Sequence, residues 1–73
     1  MKKEEFNIAL GKRVTKVRSG KGITMYRLAK ITKKSQSLIQ RLEQGKLNPS
    51  YYFLLEIAVG LEVSVAELTK GLK

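Results

Sequence analysis

The 73-residue chain has no cysteine and no histidine, and all six of its acidic residues are glutamate. Without cysteine, disulfides are excluded. Without histidine or aspartate, a metal site or a Ser-His-Asp triad would have to be built from glutamates alone, so no enzymatic chemistry, metal or cofactor is expected. Long apolar runs are also missing. The longest, Tyr51 to Leu61, is broken by Glu56, and the start Met1-Lys2-Lys3-Glu4-Glu5 runs into acidic residues. These features predict a cytoplasmic protein with neither a membrane span nor a leader. No internal repeat, low-complexity segment, linker or alternating run long enough for a sheet is present. At this length the chain makes one compact domain, of the size that buries roughly 60% of its unfolded surface.

Positive charge is plentiful and unevenly placed. Fifteen Lys and Arg against six Glu give +9; from Lys12 to Lys46, eleven bases face a single acid, Glu43, so that this segment carries +10 and the remainder −1. Such a field favours a polyanion, because counterion release from nucleic acid rewards each phosphate neutralised. The alternative is a solvated surface kept charged for solubility.

Helical periodicity runs through the chain. Phe6, Leu10, Val14 and Val17 share one face of a first helix that stops at Ser19-Gly20-Lys21-Gly22. Gly11, inside it, costs roughly 1 kcal/mol of propensity relative to alanine, and marks either close packing on a neighbour or a tolerated glycine. Thr24 is a good N-cap for a second helix ending near Thr32, with Ile23 and Leu28 as its hydrophobic staple. Ser35 caps a third, which buries Ile39, Leu42 and part of Leu38 and ends at Gly45. Asn48-Pro49-Ser50 starts a fourth, with either Asn48 or Ser50 as the cap; its core face is Phe53 or Leu54 with Ile57, Ala58 and Leu61. Ser64 and Glu67 form a capping box for a fifth, stapled by Val63 and Leu68, after which the tail is free to fray. The fold expected is all-α: a compact bundle of five short helices.

Two short helices joined by about three residues, in a basic domain of this size, suggest helix-turn-helix DNA binding over residues 24–44. The residues Leu10-Gly11, Val14, Val17-Arg18, Lys21-Gly22-Ile23-Thr24, Leu28-Ala29, Ser35, Ile39, Leu42-Glu43-Gln44-Gly45, Asn48-Pro49-Ser50, Leu54, Ile57-Ala58, Leu61 and Val63-Ser64 sharpen this. From Leu10 to Leu68 the chain resembles the Cro/repressor-type, or XRE-like, helix-turn-helix family of phage repressors, restriction-modification controllers and many antitoxins. The resemblance implies a structural ion pair between Arg18 and Glu43, which would explain the lone acid of the basic segment, since a partly buried carboxylate is tolerable when a guanidinium satisfies it.

The same resemblance implies that the third helix enters the major groove of double-stranded DNA N-terminus first, while the second lies across the backbone. Base readers then lie early on the third helix, at Gln36 and Ser37, with Gln40 and Arg41 one turn on. Glutamine can contact adenine N6 and N7 in bidentate fashion, and an arginine fork suits guanine O6 and N7. For each, the bland alternative is a solvated polar face. Phosphate contacts are implied at the start of the second helix, Thr24 and Met25, and at Lys46 and Asn48. Lys33 and Lys34 either add attraction from the turn or are simply exposed there. Four positions depart from the family pattern. Met25 replaces a common polar residue, and Lys33 a frequent glycine. Lys34 stands where an apolar residue is usual, and Leu38 is more apolar than its counterparts. A structure covering Gln36 and Ser37 with the protein's own chain would overturn this picture.

One small domain offers few base contacts, and the resemblance implies a homodimer on half-sites ~34 Å apart. Tyr51, Tyr52, Val59 and Val65 are candidates for its interface, or else belong to the core. Two rival readings keep the fold: an antitoxin or adaptor whose main partner is a toxin or other regulatory protein, and a nonspecific nucleic-acid binder, indifferent to sequence but steeply salt-dependent.

Overall fold

Glu4 and Glu5 lengthen the first helix beyond its apolar pattern. In the computed structural model, which describes residues 1–72, α1 spans Lys3–Gly20, starting before Phe6 because the Lys2 backbone N–H donates to Glu5 Oε1 at 2.9 Å and two carboxylates sit in the positive first turn. It is followed by α2 (Met25–Thr32), α3 (Gln36–Glu43), α4 (Tyr51–Leu61) and α5 (Val65–Thr69), with no strand among the described residues. The all-α, five-helix expectation is met.

Each later start is set by a hydroxyl that satisfies a backbone N–H left over at the helix end. Thr24 accepts from Arg27 N–H, Ser35 from Leu38 N–H, Ser50 from Phe53 N–H and Ser64 from Glu67 N–H, at 3.0 to 3.1 Å. Ser50, and not Asn48, is therefore the cap of α4. Glu67 Oε1 accepts from Ser64 N–H in return at 3.1 Å, completing the capping box.

All five helices feed one core: Leu10 and Val14 from α1, Leu28 and Ala29 from α2, Ile39 and Leu42 from α3, Phe53, Leu54, Ile57, Ala58 and Leu61 from α4, and Leu68 from α5. Phe53 and Leu54 are both buried, although the spacing suggested only one of them. The helix-turn-helix pair, α2 and α3, packs on α1 through α3 and on α4 through α2.

Gly11 sets the spacing between α1 and α3. A Cβ there would lie 2.5 Å from the Glu43 carbonyl oxygen and 2.6 Å from that of Leu42, so the close-packing reading holds. Gly45, just past α3, has φ +74 and would drive a Cβ to within 2.8 Å of the Ile8 Cα, which locks the exit of α3 against the start of α1.

The end of the chain is tied back to α1. α5 continues to Thr69, Leu72 packs against the core, and Arg13 donates from Nη1 to the Glu67 carbonyl at 2.9 Å and from Nη2 to the Lys70 carbonyl at 2.8 Å. The carbonyls of Glu67 in α5 and of Lys70 just past it thus share one guanidinium partner; residue 73 lies outside the described residues.

Candidate nucleic-acid interface

The turn between the two helices places α3. Lys33 takes the left-handed conformation at φ 58 and ψ 36, the geometry for which glycine is common, at a cost of about 1 kcal/mol. The Lys34 N–H then returns to the Ala29 carbonyl at 2.9 Å, and Ser35 opens α3.

Along α3 the two faces separate cleanly. Ile39 and Leu42 have no exposed surface, and Leu38 is half-buried against the core. Gln36, Ser37, Gln40 and Arg41 are all exposed, and none of their side chains is engaged by another part of the chain among the described residues. Gln44, the C-cap residue, is also exposed and extends this polar stripe by one more turn from Gln40. Its i+4 spacing is the signal that would have found it.

The far end of α3 is clamped by α1. Arg18 Nε donates to Glu43 Oε2 at 2.6 Å and Nη2 to Oε1 at 3.0 Å, a bidentate pair whose side chains are only 13% and 7% exposed. Nη1 meets the Ile23 carbonyl at 2.8 Å, tying the same guanidinium to the loop before α2. The hydrogen bond to Glu43 raises the Arg18 pKa above its already high ordinary value, with the nearby negative charge adding to it and burial opposing it. Thr15 Oγ lies 2.9 Å from Glu43 Oε1 and 3.0 Å from the Gly11 carbonyl, both acceptors for its single hydrogen. Gly11, Thr15 and Arg18 thus form one gripping face of α1; Thr15 escaped the sequence reading because its partner is 28 residues away.

The candidate phosphate contacts divide. Thr24 is exposed at the start of α2, whereas the Met25 side chain is half-buried against the core, leaving its backbone N–H as the available donor. Lys33 and Lys46 are exposed. Asn48 is exposed as a residue, but its Nδ2 donates to Asn7 Oδ1 at 2.8 Å, with Asn7 itself buried. Asn7 gave no signal in the sequence, since a polar residue between Phe6 and Ile8 reads as a surface position. Lys34 requires a correction: its Nζ is 3.0 Å from Glu56 Oε1 and 5.6 Å from the centre of the Phe53 ring, so it is turned onto α4 and is not a free phosphate ligand. The stem covers the site of the usual apolar residue, and the carboxylate takes the charge. With Arg18 and Lys34 paired internally, nine of the eleven bases from Lys12 to Lys46 have no acidic partner among the described residues.

The interface candidates divide too. Tyr51, Tyr52 and Val59 are 69%, 68% and 68% exposed and stand outside the core, whereas Val65 is half-buried and packs against it.

Two helices joined by a left-handed turn, the second presenting polar side chains outward from a buried apolar back, define a helix-turn-helix DNA-binding domain. The chain belongs to the helix-turn-helix (HTH_3) family, whose model matches residues 15–68. Its fold is similar to that of the restriction-modification controller protein C.AhdI from Aeromonas hydrophila, with 28% identity, a TM-score of 0.81, and coverage of 84% of this chain and 92% of that one. It is also similar to the clp gene regulator ClgR from C. glutamicum, with 30% identity, a TM-score of 0.83, and coverage of 86% and 82%. An HTH_3 family transcriptional regulator from Vibrio cholerae shares the fold at 24% identity, with a TM-score of 0.88 over 93% of this chain and 38% of that one. No curated protein gives a significant sequence match. Among the described residues, no helix is long and apolar enough to cross a membrane.

Proposed function

We infer that the chain is a sequence-specific transcriptional regulator, a repressor or controller, that reads the major groove with α3 as a homodimer on an inverted repeat. One observation carries this reading: Gln36 and Ser37 stand exposed at the start of a helix whose back is anchored by fully buried Ile39 and Leu42. Gln36 contacts an adenine edge, a bidentate pair worth about 1–3 kcal/mol of discrimination, with Ser37, Gln40 and Arg41 adding base or phosphate contacts. The Thr24 cap and the first amide of α2 at Met25, together with Lys33, Lys46 and the Asn48 segment, hold the flanking phosphates. Similarity to a controller protein and a gene regulator supports regulation as the task.

Selection of bound sites from random duplexes, followed by binding at two salt concentrations, tests the proposal. An inverted repeat is expected. Gln36→Ala relaxes preference at one position of each half-site, while Lys46→Ala weakens all duplexes alike and lowers the salt slope by about 1. A selected consensus unchanged by Gln36→Ala refutes the assignment of readers.

A further inference from the structure

Lys21, in the loop after α1, and Arg27, on α2, are exposed, have no acidic partner among the described residues and are not among the proposed DNA contacts. Both stand at one end of a groove between α2 and α4. The groove consists of two adjoining cavities of about 290 and 430 Å³, in the size range of small-ligand sites, which share Ile31, Val59 and Gly60. Gly60 is its waist. A Cβ there would lie 2.8 Å from Thr32 Cγ2 and 3.2 Å from Leu28 Cδ1, so a side chain at this position would fill the space where the two halves join. The two ends differ in charge. Toward Tyr52 the lining is largely apolar, with Leu55 and Val59 exposed beside Ile31, and its one acid, Glu56, is already neutralised by Lys34. Toward Lys21 and Arg27, two bases accompany a single carboxylate, Glu62, which leaves an excess of positive charge on a chain that carries +9 overall.

We propose that this groove binds a free amphiphilic carboxylate of low molecular mass, its head group held by Lys21 and Arg27 and its hydrocarbon tail laid over Ile31, Gly60 and Val59 toward Leu55 and Tyr52. The site goes beyond DNA recognition and does not depend on it. Charge complementarity selects an anion, and the apolar half selects one with a tail, since an inorganic ion would leave that half unfilled. Length agrees: Tyr52 and Glu62 are ten residues apart on α4 and its cap, about 15 Å of helical rise, which suits a medium-chain acid lying along the groove. Shape favours a free molecule over a membrane lipid, because a concave slot takes up a single chain whereas burial in a bilayer needs a broad apolar face.

Decanoate, kept below its micelle-forming concentration, is the probe, titrated into the isotope-labelled full chain with backbone amide shifts as the readout. Saturable shifts are expected at Gly22, Ile31, Leu55, Val59 and Gly60, with the reading face of α3 unmoved. Lys21→Gln combined with Arg27→Gln should weaken binding at least about tenfold, since both charge-assisted hydrogen bonds to the head group are lost. Lys12→Gln combined with Lys16→Gln removes the same charge from exposed positions on α1 and should change binding less than about twofold, which separates a site from general attraction to a basic protein. On the unaltered chain, decanol, which keeps the tail without the charge, and acetate, which keeps the charge without the tail, should each bind at least about tenfold more weakly than decanoate. The proposal is overturned if the decanoate shifts do not saturate, if the two double variants lose affinity equally, or if anionic lipid vesicles bind the chain while free decanoate does not. It is also overturned if the groove amides shift on dilution of the protein alone and decanoate leaves them unmoved, the sign of a second copy in its place.

Discussion

Replacing Gly11 by alanine sets two effects of opposite sign against each other. In an open helix interior the change stabilises by about 1 kcal/mol. Here the new methyl would sit 2.5 and 2.6 Å from two carbonyl oxygens of α3, about 1 Å short of an ordinary contact, and both are backbone atoms with no rotamer to move aside. Overpacking of a rigid contact costs roughly 1–3 kcal/mol, and shifting α3 also pulls Glu43 away from Arg18 and Thr15. The clash wins, with a net loss of about 2 kcal/mol and a fall in melting temperature on the order of 10 °C for a domain of this size. Gly20→Ala is the internal control: nothing lies within 4 Å of its added Cβ, so only the propensity gain remains. Thermal melts followed by circular dichroism, with site binding measured well below the transition, read both effects. Should Gly11→Ala melt higher than the parent, α1 and α3 do not approach this closely and the grip on α3 has been misread.

The remaining expectations concern polar contacts and the turn. Glu43→Leu strands the mostly buried Arg18 guanidinium and should cost about 3 kcal/mol in urea unfolding, most of it regained in the Arg18→Met, Glu43→Leu double variant; a loss under ~0.5 kcal/mol would show the pair to be solvated. Lys33→Gly relieves the left-handed backbone and should stabilise by up to about 1 kcal/mol, and the salt slope of DNA binding drops with it only if Lys33 also meets a phosphate. Arg13→Met removes both bonds to the end of α5, so hydrogen exchange should quicken at Leu68 to Leu72 while α1 and α3 stay protected; uniform quickening would contradict a local role.

What could be read from the chain in advance follows the range of each interaction. Thr24, Ser35 and Ser64 were legible as caps because a hydroxyl and the N–H it accepts are three residues apart, whatever the rest of the fold does. Asn48 and Ser50 could not be separated locally, since both precede α4; in the fold Ser50 accepts from the Phe53 N–H, while the Asn48 amide donates to Asn7, 41 residues away. Lys34 looked like a free base for the same reason: its partner Glu56 lies a full helix downstream, and nothing around residue 34 announces it. Arg13 likewise reaches the Lys70 carbonyl, 57 residues away, with no local sign of it in the sequence. The exposed face of α3 was readable because it is the complement of the apolar positions Ile39 and Leu42, so burial of one side determines the other.

That complementarity bears on how so small a domain can be specific. On the proposed reading few side chains reach the groove, so each contact counts only if little freedom is lost on binding, which requires a reading helix already fixed in place. The chain fixes α3 at three points that share no residue with the reading face. Ser35 caps its start, Ile39 and Leu42 anchor its back, and Glu43 is held at its end by Thr15 and Arg18. Gln36, Ser37, Gln40 and Arg41 carry none of that load. On the proposed reading their identities would therefore set the recognised sequence with little effect on stability, whereas a change at Gly11 or Glu43 would disturb recognition by moving the helix that presents them.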